Sequence, residues 1–349
     1  MRYGHGGDIY TYNGILDFSA NINPFGPSEY VMEAACGAVR GMGCYPDSQC
    51  RDLRKKLEMK LKIPQGQILC GNGAADLIFS LVFAEKPKRA LLAVPAFSEY
   101  EQALRAVGCE IVYDYLEAGE QFAVQDNYLE RLTGDIDIIF LCSPNNPTGR
   151  TIRRDLLVRI LEQCERSRIR VVVDECFNEF LEQPEQATMQ AYVAEHPRLI
   201  LLRAFTKIHA MPGLRLGYML CSDEQLMENI QAARQPWSVS GIAQAAGIAA
   251  LDEDGRVLDT RSYVAEERRK METELGKMGI EYIPSEANYI LLHMEQDGSL
   301  FETMLNRGIL IRDCQNYAGL SKGYYRIAVK RREENEKLLE VLREISRKG

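Results

Sequence analysis

Two basic residues stand in an otherwise apolar, small-residue segment of this chain. The stretch LLRAFTKIHAMPGLRLGYML, residues 201–220, holds Lys207 and, eight residues later, Arg215 in a Gly-Leu-Arg-Leu-Gly run. A lysine in a partly desolvated site has a lowered pKa, so its neutral amine can act as the nucleophile in Schiff-base chemistry. A lysine whose end reaches solvent, and an arginine in a structural ion pair, are simpler interpretations that this segment alone leaves open.

Polar residues also follow two apolar runs that are typical of buried strands. Asp174 closes the apolar run of VVVDECFNEF, and Asn146 lies in the proline-bracketed turn SPNNPTG. A carboxylate at the end of a buried strand needs a partner, because burying it alone is costly. A helix cap or a buried ion pair for Asp174, and ordinary turn chemistry for Asn146, stay open as alternatives to ligand binding.

A glycine-containing turn precedes a predicted helix in CGNGAADLIFSLVF, residues 70–83. The helix is indicated by the regular spacing of its apolar side chains Leu77, Ile78, Leu81 and Val82. Free backbone N–H groups at such a helix start can cradle a phosphate. The turn matches neither the Walker A spacing nor the dinucleotide-binding fingerprint, so a simple capping turn is an equal alternative.

The elements that would position these residues alternate between strands and helices. Short apolar runs such as RALLAVP, DIDIIFLCSP, IRVVVDE and RLILLRAF are separated by amphipathic segments such as SEYEQALRAVG and RRDLLVRILEQCERS. This alternation predicts an α/β fold with a mostly parallel central sheet and helices on both faces. Ligands of such sheets bind at the carboxyl ends of the strands, where SPNNPTG, DECF and FTK fall.

The pattern changes after about residue 240. A long helical stretch leads to the strand-like runs YILLHM, GILIRDC and YYRIAVK, with helices between and after them. We therefore predict a large domain over residues 36–240 and a smaller α+β domain over residues 241–349. The Gly-, Asn- and Pro-rich segment 1–35 is predicted to form an arm, not a core element, that contributes to the small domain and the active site.

The composition argues against several classes of function. The chain has 349 residues and a formal charge of −8, which argues against nucleic-acid binding and against attraction to an anionic membrane. No apolar run reaches the roughly 20 residues of a membrane span, and the polar start does not resemble a signal peptide, so a cytoplasmic protein is expected. The ten cysteines form no CxxC pair, which predicts free, mostly buried thiols and no metal site.

Taken together and in this order, the glycine turn, Asn146, Asp174, Lys207 and Arg215 resemble the fold-type I pyridoxal-phosphate enzymes. The resemblance covers nearly the whole chain and implies the aspartate aminotransferase fold with pyridoxal 5'-phosphate as the cofactor. It implies that Lys207 bonds the cofactor aldehyde and that Asp174 pairs with the protonated pyridine nitrogen, which makes the ring an electron sink. The other implied cofactor-binding residues are Gly73, Ala74, Ala75, Thr206 and Arg215 at the phosphate, Asn146 at the ring hydroxyl, Phe97 on the ring face and Phe177 near the ring oxygen.

Tyr45, in GCYPDSQCRDL, matches a tyrosine that reaches the cofactor phosphate of the neighbouring subunit in this fold type. The resemblance therefore also implies a homodimer with shared active sites.

Within the fold type, the chain is similar to the branch that contains histidinol-phosphate aminotransferase and threonine-phosphate decarboxylase. Three features favour the decarboxylase: an arm with HGGD and DFSANINPFGPS, the run GILIRDCQNYAGL followed by YYRIAVK, and a phenylalanine where the aminotransferase usually has a tyrosine. The resemblance implies a phosphorylated amino acid as substrate and an aminopropanol phosphate product for cobalamin assembly. The implied substrate-binding residues are His5, Asn23, Asn146, Arg312 and Arg326, with His5 near the substrate phosphate.

Two other interpretations stay open at this point. A histidinol-phosphate or related aminotransferase would use the same fold and cofactor. In addition, Ile208, His209 and Pro212 differ from the residues that are common around the lysine in the decarboxylases. A regulatory protein built on this fold belongs to a different class. Such regulators carry an amino-terminal DNA-binding domain, whereas here the resemblance begins near residue 5 in an acidic chain.

Overall fold

Helices and strands alternate along the chain, which is described by a computed structural model over residues 4–12, 14–295 and 299–347. The helices are α1 (Glu29–Ala38), α2 (Arg51–Leu61), α3 (Ala74–Glu85), α4 (Ser98–Ala106), α5 (Arg154–Ser167), α6 (Pro184–Ala187), α7 (Phe205–Ile208), α8 (Glu224–Ala233), α9 (Gly241–Ala250), α10 (Asp254–Lys277), α11 (Leu300–Leu305) and α12 (Arg332–Ser346). The strands are β1 (Leu16–Asp17), β2 (Ile68–Gly71), β3 (Arg89–Val94), β4 (Glu110–Tyr115), β5 (Ile138–Cys142), β6 (Arg170–Asp174), β7 (Leu199–Ala204), β8 (Gly217–Leu220), β9 (Glu281–Ile283), β10 (Tyr289–His293), β11 (Ile309–Leu310), β12 (Arg312–Asp313) and β13 (Tyr324–Ala328).

A central sheet of seven strands has the order β2-β8-β7-β6-β5-β3-β4. The pairs from β7 through β4 are parallel, and β8 runs antiparallel to both of its neighbours. The predicted mostly parallel sheet is therefore confirmed. Its parallel core places the carboxyl ends of β5, β6 and β7 side by side at one edge.

Both faces of the central sheet are covered by helices, because alternate residues of its strands point to opposite sides. In β6, Val171 and Val173 pack into a core with α2, α5 and α9, whereas Val172 packs into a second core with α3, α4 and α8. The apolar spacing that predicted α3 is confirmed, since its four side chains are fully buried. The two-sided α/β prediction is confirmed as well.

A second sheet, of order β12-β13-β10-β9, is antiparallel and packs against α10 and α12. The run GILIRDC forms not one strand but two short ones in different sheets. Leu310 of β11 pairs with Asp17 in parallel, and Arg312 of β12 pairs with Arg326 in antiparallel register. At Ile311 the chain leaves the first sheet partner, β1, and begins to pair with β13. The spacing of apolar residues alone does not predict such a change of pairing partner.

The amino-terminal arm departs from the prediction, because part of it is a core element. Phe18 is fully buried in the core of the second sheet, and its backbone bonds Leu310 and Ala328. The idea of an arm without a core element is thus wrong for this part of the segment. The glycines and asparagines around Phe18 are typical of loops, so the sequence does not indicate that Phe18 is buried. Its position depends on the pairing of β1 with the distant strand β11, which only the tertiary structure shows.

The domain boundaries at residues 35 and 240 stay predictions. Near the second boundary, the predicted long helical stretch is divided into α9 and α10. Ala243 and Ala246 of α9 lie in the core of the central sheet, whereas Val264 and Met271 of α10 lie in the core of the second sheet.

None of the helices in the described part of the chain is both long and apolar enough to cross a membrane. The ten cysteines are all free thiols, and seven of them are buried, as their sequence positions predicted.

Replacing Phe18 by alanine should lower the free energy of unfolding by about 3–5 kcal/mol, because the change empties a fully buried aromatic position. Chemical denaturation measures this difference. The matched control is Tyr10→Ala in the same arm, at a residue that is 93% exposed, and it should change stability little. Similar small effects for both variants would contradict the burial of Phe18.

Candidate active site

A cavity of about 600 Å³ lies at the carboxyl ends of β5, β6 and β7. The strand ends of the central sheet and the helices α3, α4 and α7 contribute residues to its wall, and so do the amino-terminal arm and the second sheet. Twelve of the residues singled out in the sequence line this cavity: His5, Ala74, Ala75, Phe97, Asn146, Asp174, Phe177, Thr206, Lys207, Arg215, Arg312 and Arg326. Residues more than 300 positions apart in the sequence thus share one space.

Lys207 belongs to the single-turn helix α7, which follows β7 directly. Its side chain is half-buried, and its Nζ lies 5.4 Å from the centre of the Phe177 ring. Burial lowers the pKa of Lys207 to about 8, and the positive charges of Arg326 and Arg215 act in the same direction. At pH 7 about one amine in ten is therefore neutral, several hundred times the fraction of an ordinary lysine with a pKa near 10.5.

Asp174, the last residue of β6, is a buried carboxylate whose hydrogen-bond donors are neutral. The Tyr100 hydroxyl donates to its Oδ2 over 2.6 Å, and the Cys176 backbone N–H donates to its Oδ1 over 2.9 Å. Burial and the neighbouring Asp174 charge hold the pKa of Tyr100 well above its usual value, so the tyrosine stays a donor. These two bonds orient the carboxylate. Because neither donor is charged, the carboxylate would favour a cationic ligand in the cavity.

The start of α3 forms a backbone cradle closed by Arg215. Gly73 has φ +84°, and a Cβ built there would lie 2.6 Å from Arg215 Nη2, so only glycine lets the guanidinium approach this closely. The Asp76 carboxylate accepts a bond from the Asn72 N–H over 2.9 Å and holds the turn. Arg215 is exposed and donates to the Pro212 carbonyl over 3.1 Å. Backbone N–H groups, a helix start and a guanidinium together suit a phosphate group.

Two buried arginines lie on the wall of the cavity. Arg312 and Arg326 are opposite one another on β12 and β13. Arg326 donates to Asn146 Oδ1 and, over 2.9 Å, to the Ser19 carbonyl, while its Nε has no partner in the described part of the chain. Arg312 donates to the carbonyls of Gly4 and Asp313 and to the side chain of Asn316. Because these acceptors are neutral, both positive charges are available to an anionic ligand.

The contacts of three further wall residues limit how each of them could bind a ligand. The Asn146 oxygen accepts the bond from Arg326, which leaves its Nδ2 group as a donor for a ligand. Phe97 packs edge-on against Tyr100 with ring centres 5.6 Å apart. Phe177 packs edge-on against Tyr289 at 5.0 Å and, unlike a tyrosine, brings no hydroxyl to this position.

Three residues singled out in the sequence do not line the cavity. Gly73 lies immediately behind the wall as the residue before α3. Asn23 is buried elsewhere, and its Nδ2 donates to the Ile208 carbonyl over 2.6 Å and to Thr260 Oγ1 over 3.1 Å. In this position it supports the segment around Lys207, whose carbonyl accepts a bond from the Asn23 N–H over 3.1 Å.

Tyr45 is also outside the cavity. It is 80% exposed and stacks on Trp237 with ring centres 4.5 Å apart.

Sequence reasoning missed four residues that the structure brings to the site. Tyr100 donates a hydrogen bond to Asp174 from the first turn of α4, and the Tyr317 ring centre lies 5.3 Å from the guanidinium carbon of Arg312. Glu99 lines the cavity beside Phe97. Asn21 lies on the wall in place of Asn23, and its buried Oδ1 has no hydrogen-bond partner among the described residues. The only sequence signal was their position within the stretches PAFSEY, SANINP and QNYAGL, which does not show which side chains of a stretch face the site.

The chain matches the model of the family "Aminotransferase class I and II" over residues 13–342. It belongs to this family. The threonine-phosphate decarboxylase of Salmonella typhimurium is 38% identical over 98% of this chain and 96% of its own length. The histidinol-phosphate aminotransferase of Symbiobacterium thermophilum is 34% identical over 94% of this chain and 90% of its own.

A solved structure, that of the histidinol-phosphate aminotransferase from Clostridium acetobutylicum, superimposes with a TM-score of 0.89. It is 29% identical and covers 96% of this chain and 100% of its own. The predicted aminotransferase-type fold is therefore confirmed, and the protein is a pyridoxal-phosphate-dependent enzyme.

The residues of the cavity fit this cofactor. Asp174 is a buried carboxylate with neutral donors and would take the ring N–H. The space left at Gly73 and the Arg215 guanidinium would take the phosphate. Lys207, with a lowered pKa, would bond the aldehyde. The individual roles stay predictions.

The Lys207 amine of the cofactor-free protein should become reactive as the pH rises through about 8, because only the neutral amine is a nucleophile. Competitive labelling with an acylating reagent, followed by peptide mapping, gives the midpoint. In Arg326→Met the midpoint should rise, since a positive charge that disfavours the lysinium ion is lost. A wild-type midpoint near 10.5 would contradict the partly desolvated environment.

Arg215→Ala should weaken cofactor binding by roughly 1.5–3 kcal/mol, which is about ten- to a hundredfold in affinity, because a charge-assisted bond to the phosphate is lost. Titration of the cofactor-free protein with pyridoxal phosphate measures the affinity. Arg166→Ala, at an exposed arginine of α5 that does not line the cavity, is the control and should bind normally. Equal affinities of the two variants would reject the role of Arg215.

Proposed function

We propose that the protein decarboxylates L-threonine O-3-phosphate to (R)-1-aminopropan-2-yl phosphate and carbon dioxide. The product would be the aminopropanol phosphate linker of cobalamin assembly. The observation that carries this proposal is the pair of buried, uncompensated arginines, Arg312 and Arg326, in a cavity shared with Lys207. The 38% identity with a threonine-phosphate decarboxylase over nearly the full length of both chains supports the same choice.

The arginines supply what this substrate requires, since it carries both a phosphate and a carboxylate. Guanidinium groups bind such anions through paired, charge-assisted hydrogen bonds. Together with His5 they would grip the phosphate and thereby set the orientation of the carboxylate. By fixing where the carboxylate lies, these three residues would favour loss of carbon dioxide over loss of the Cα hydrogen.

When bound, the cofactor supplies an electron-accepting ring that stabilises the negative charge left on Cα. Asp174 would accept the N–H of the ring nitrogen and so favour its protonated form. Lys207, whose pKa is about 8, would donate the proton that replaces carbon dioxide on Cα. In the overall reaction the carboxylate leaves Cα as carbon dioxide, and one proton takes its place on Cα.

A second candidate is histidinol-phosphate aminotransferase. It is favoured by the relative at 34% identity and by the TM-score of 0.89 with a solved structure that bears this name. Its substrate also carries a phosphate, so the arginine pair alone does not separate the two reactions. Phe177, which brings no ring hydroxyl to its position, supports the decarboxylase.

We also propose a homodimer with shared active sites. Tyr45 and Trp237 form an exposed stacked pair, and the nearby Met42 is 80% exposed. Burial of such a patch by a second copy would explain large apolar side chains in contact with water. In this arrangement Tyr45 would reach the cofactor phosphate of the neighbouring subunit.

Incubation of the holoenzyme with threonine phosphate should release carbon dioxide in proportion to the aminopropanol phosphate formed. The rival reaction is measured in parallel as amino transfer from histidinol phosphate to 2-oxoglutarate. Lys207→Ala is the control and should lose both the yellow colour of the bound cofactor and the activity. Amino transfer without carbon dioxide release would reject the decarboxylase and favour the aminotransferase.

A further inference from the structure

Glu99, an acidic residue in the wall of an anion-binding cavity, takes no part in the roles described so far. It is the second residue of α4, adjacent to Ser98 and two positions after Phe97, and it is 9% exposed. A buried carboxylate here should repel an anionic substrate unless a cation stands between them. The feature therefore needs a partner.

That partner is His5 of the amino-terminal arm. Its Nδ1 lies 3.3 Å from Glu99 Oε1, while the Ser98 hydroxyl donates to Glu99 Oε2 over 3.0 Å. Burial raises the pKa of Glu99, and the nearby positive charges of His5 and Lys207 oppose this rise. His5 itself is 55% exposed at its side chain, so Glu99 is the contact that restrains its ring.

The backbone on both sides of His5 is held in place as well. Arg312 Nη2 donates to the Gly4 carbonyl over 2.5 Å, and the Gly7 N–H donates to Ser19 Oγ over 2.7 Å. A Cβ at Gly6 would lie 2.2 Å from the Ser19 carbonyl oxygen, so the arm can lie this close only because residue 6 is glycine. Residues 4–7 thus form a strap along the cavity, and Glu99 fixes the one imidazole that the strap carries.

We propose that Glu99 is a positioning residue that turns His5 toward the phosphate of the substrate. In the imidazolium form both ring nitrogens carry hydrogen. Nδ1–H donates to Glu99, and Nε2–H, on the other side of the ring, is left to donate to a phosphate oxygen. The pair also places a positive charge between the carboxylate and the substrate anion. This role rests on the proposed function only in requiring a phosphorylated substrate.

A double-mutant cycle on the holoenzyme tests the proposal, because Glu99 acts through His5. Glu99→Gln should raise KM for threonine phosphate roughly five- to tenfold with little change in kcat, since an oriented, charge-assisted contact is lost. In the His5→Ala background, the same substitution should leave KM unchanged or lower it, because there the carboxylate only repels the substrate. An equal increase of KM in both backgrounds would overturn the proposal.

The control is Glu101→Gln in the same helix. Glu101 pairs with Arg105 and does not line the cavity, so this variant should keep the wild-type KM. If Glu99→Gln does not fold, Glu99→Asp retains the charge but withdraws the carboxylate from His5, and the same pattern is expected. An unchanged KM in Glu99→Asp would also overturn the proposal.

The release of carbon dioxide by the wild type decides the proposed function separately. If only amino transfer is found, the cycle is measured with histidinol phosphate, which also carries a phosphate. The cycle then tests the coupling between Glu99 and His5 independently of which reaction the enzyme catalyses.

Discussion

Three buried charged groups of the cavity, Asp174, Arg312 and Arg326, form no ion pair with another side chain in the described part of the chain. Asp174 receives only neutral donors, and Arg326 gives its hydrogen bonds to an amide oxygen and a backbone carbonyl. Burying ions in this way costs free energy, which a ligand of matching charges restores. The lowered pKa of Lys207 follows from the same environment, because burial and the arginine charges both disfavour its cationic form.

The two sheets make this separation of charge possible. Asp174 ends a strand of the central sheet, whereas Arg312 and Arg326 belong to the antiparallel second sheet. Each sheet has its own apolar core, so the charged side chains project into the space between them without weakening either core. The carboxylate and the guanidinium groups are therefore held on different sheets, and the hydrogen bonds of Arg312 and Arg326 go to other acceptors.

Cofactor binding and choice of reaction rest on different parts of the molecule. Asp174, Lys207, Gly73 and Arg215, the residues predicted to bind the cofactor, come from the central sheet and its connections. The residues that would select a substrate come from the arm, from α4 and from the second sheet. This division would explain how the chain can resemble both a histidinol-phosphate aminotransferase, with a TM-score of 0.89, and a threonine-phosphate decarboxylase, with 38% sequence identity.

The local pattern of the sequence was sufficient for the strands β3, β5, β6, β7 and for α3, because continuous apolar runs and regular helical spacing depend on neighbouring residues. The same holds for Lys207, Asp174 and Asn146, whose positions directly after strands mark the carboxyl edge of a parallel sheet. The cofactor class came from the resemblance that these residues, in their order along the chain, bear to the fold-type I pyridoxal-phosphate enzymes.

Only the tertiary structure decided the rest, since it depends on contacts between distant segments. The burial of Phe18 requires β11, which lies almost 300 residues later, and the split of GILIRDC into β11 and β12 depends on two competing strands. Asn21 and not Asn23 faces the cavity because backbone direction, and not residue type, decides which asparagine points inward. The contact of Glu99 with His5 joins a helix start to the arm, which no spacing within either segment encodes.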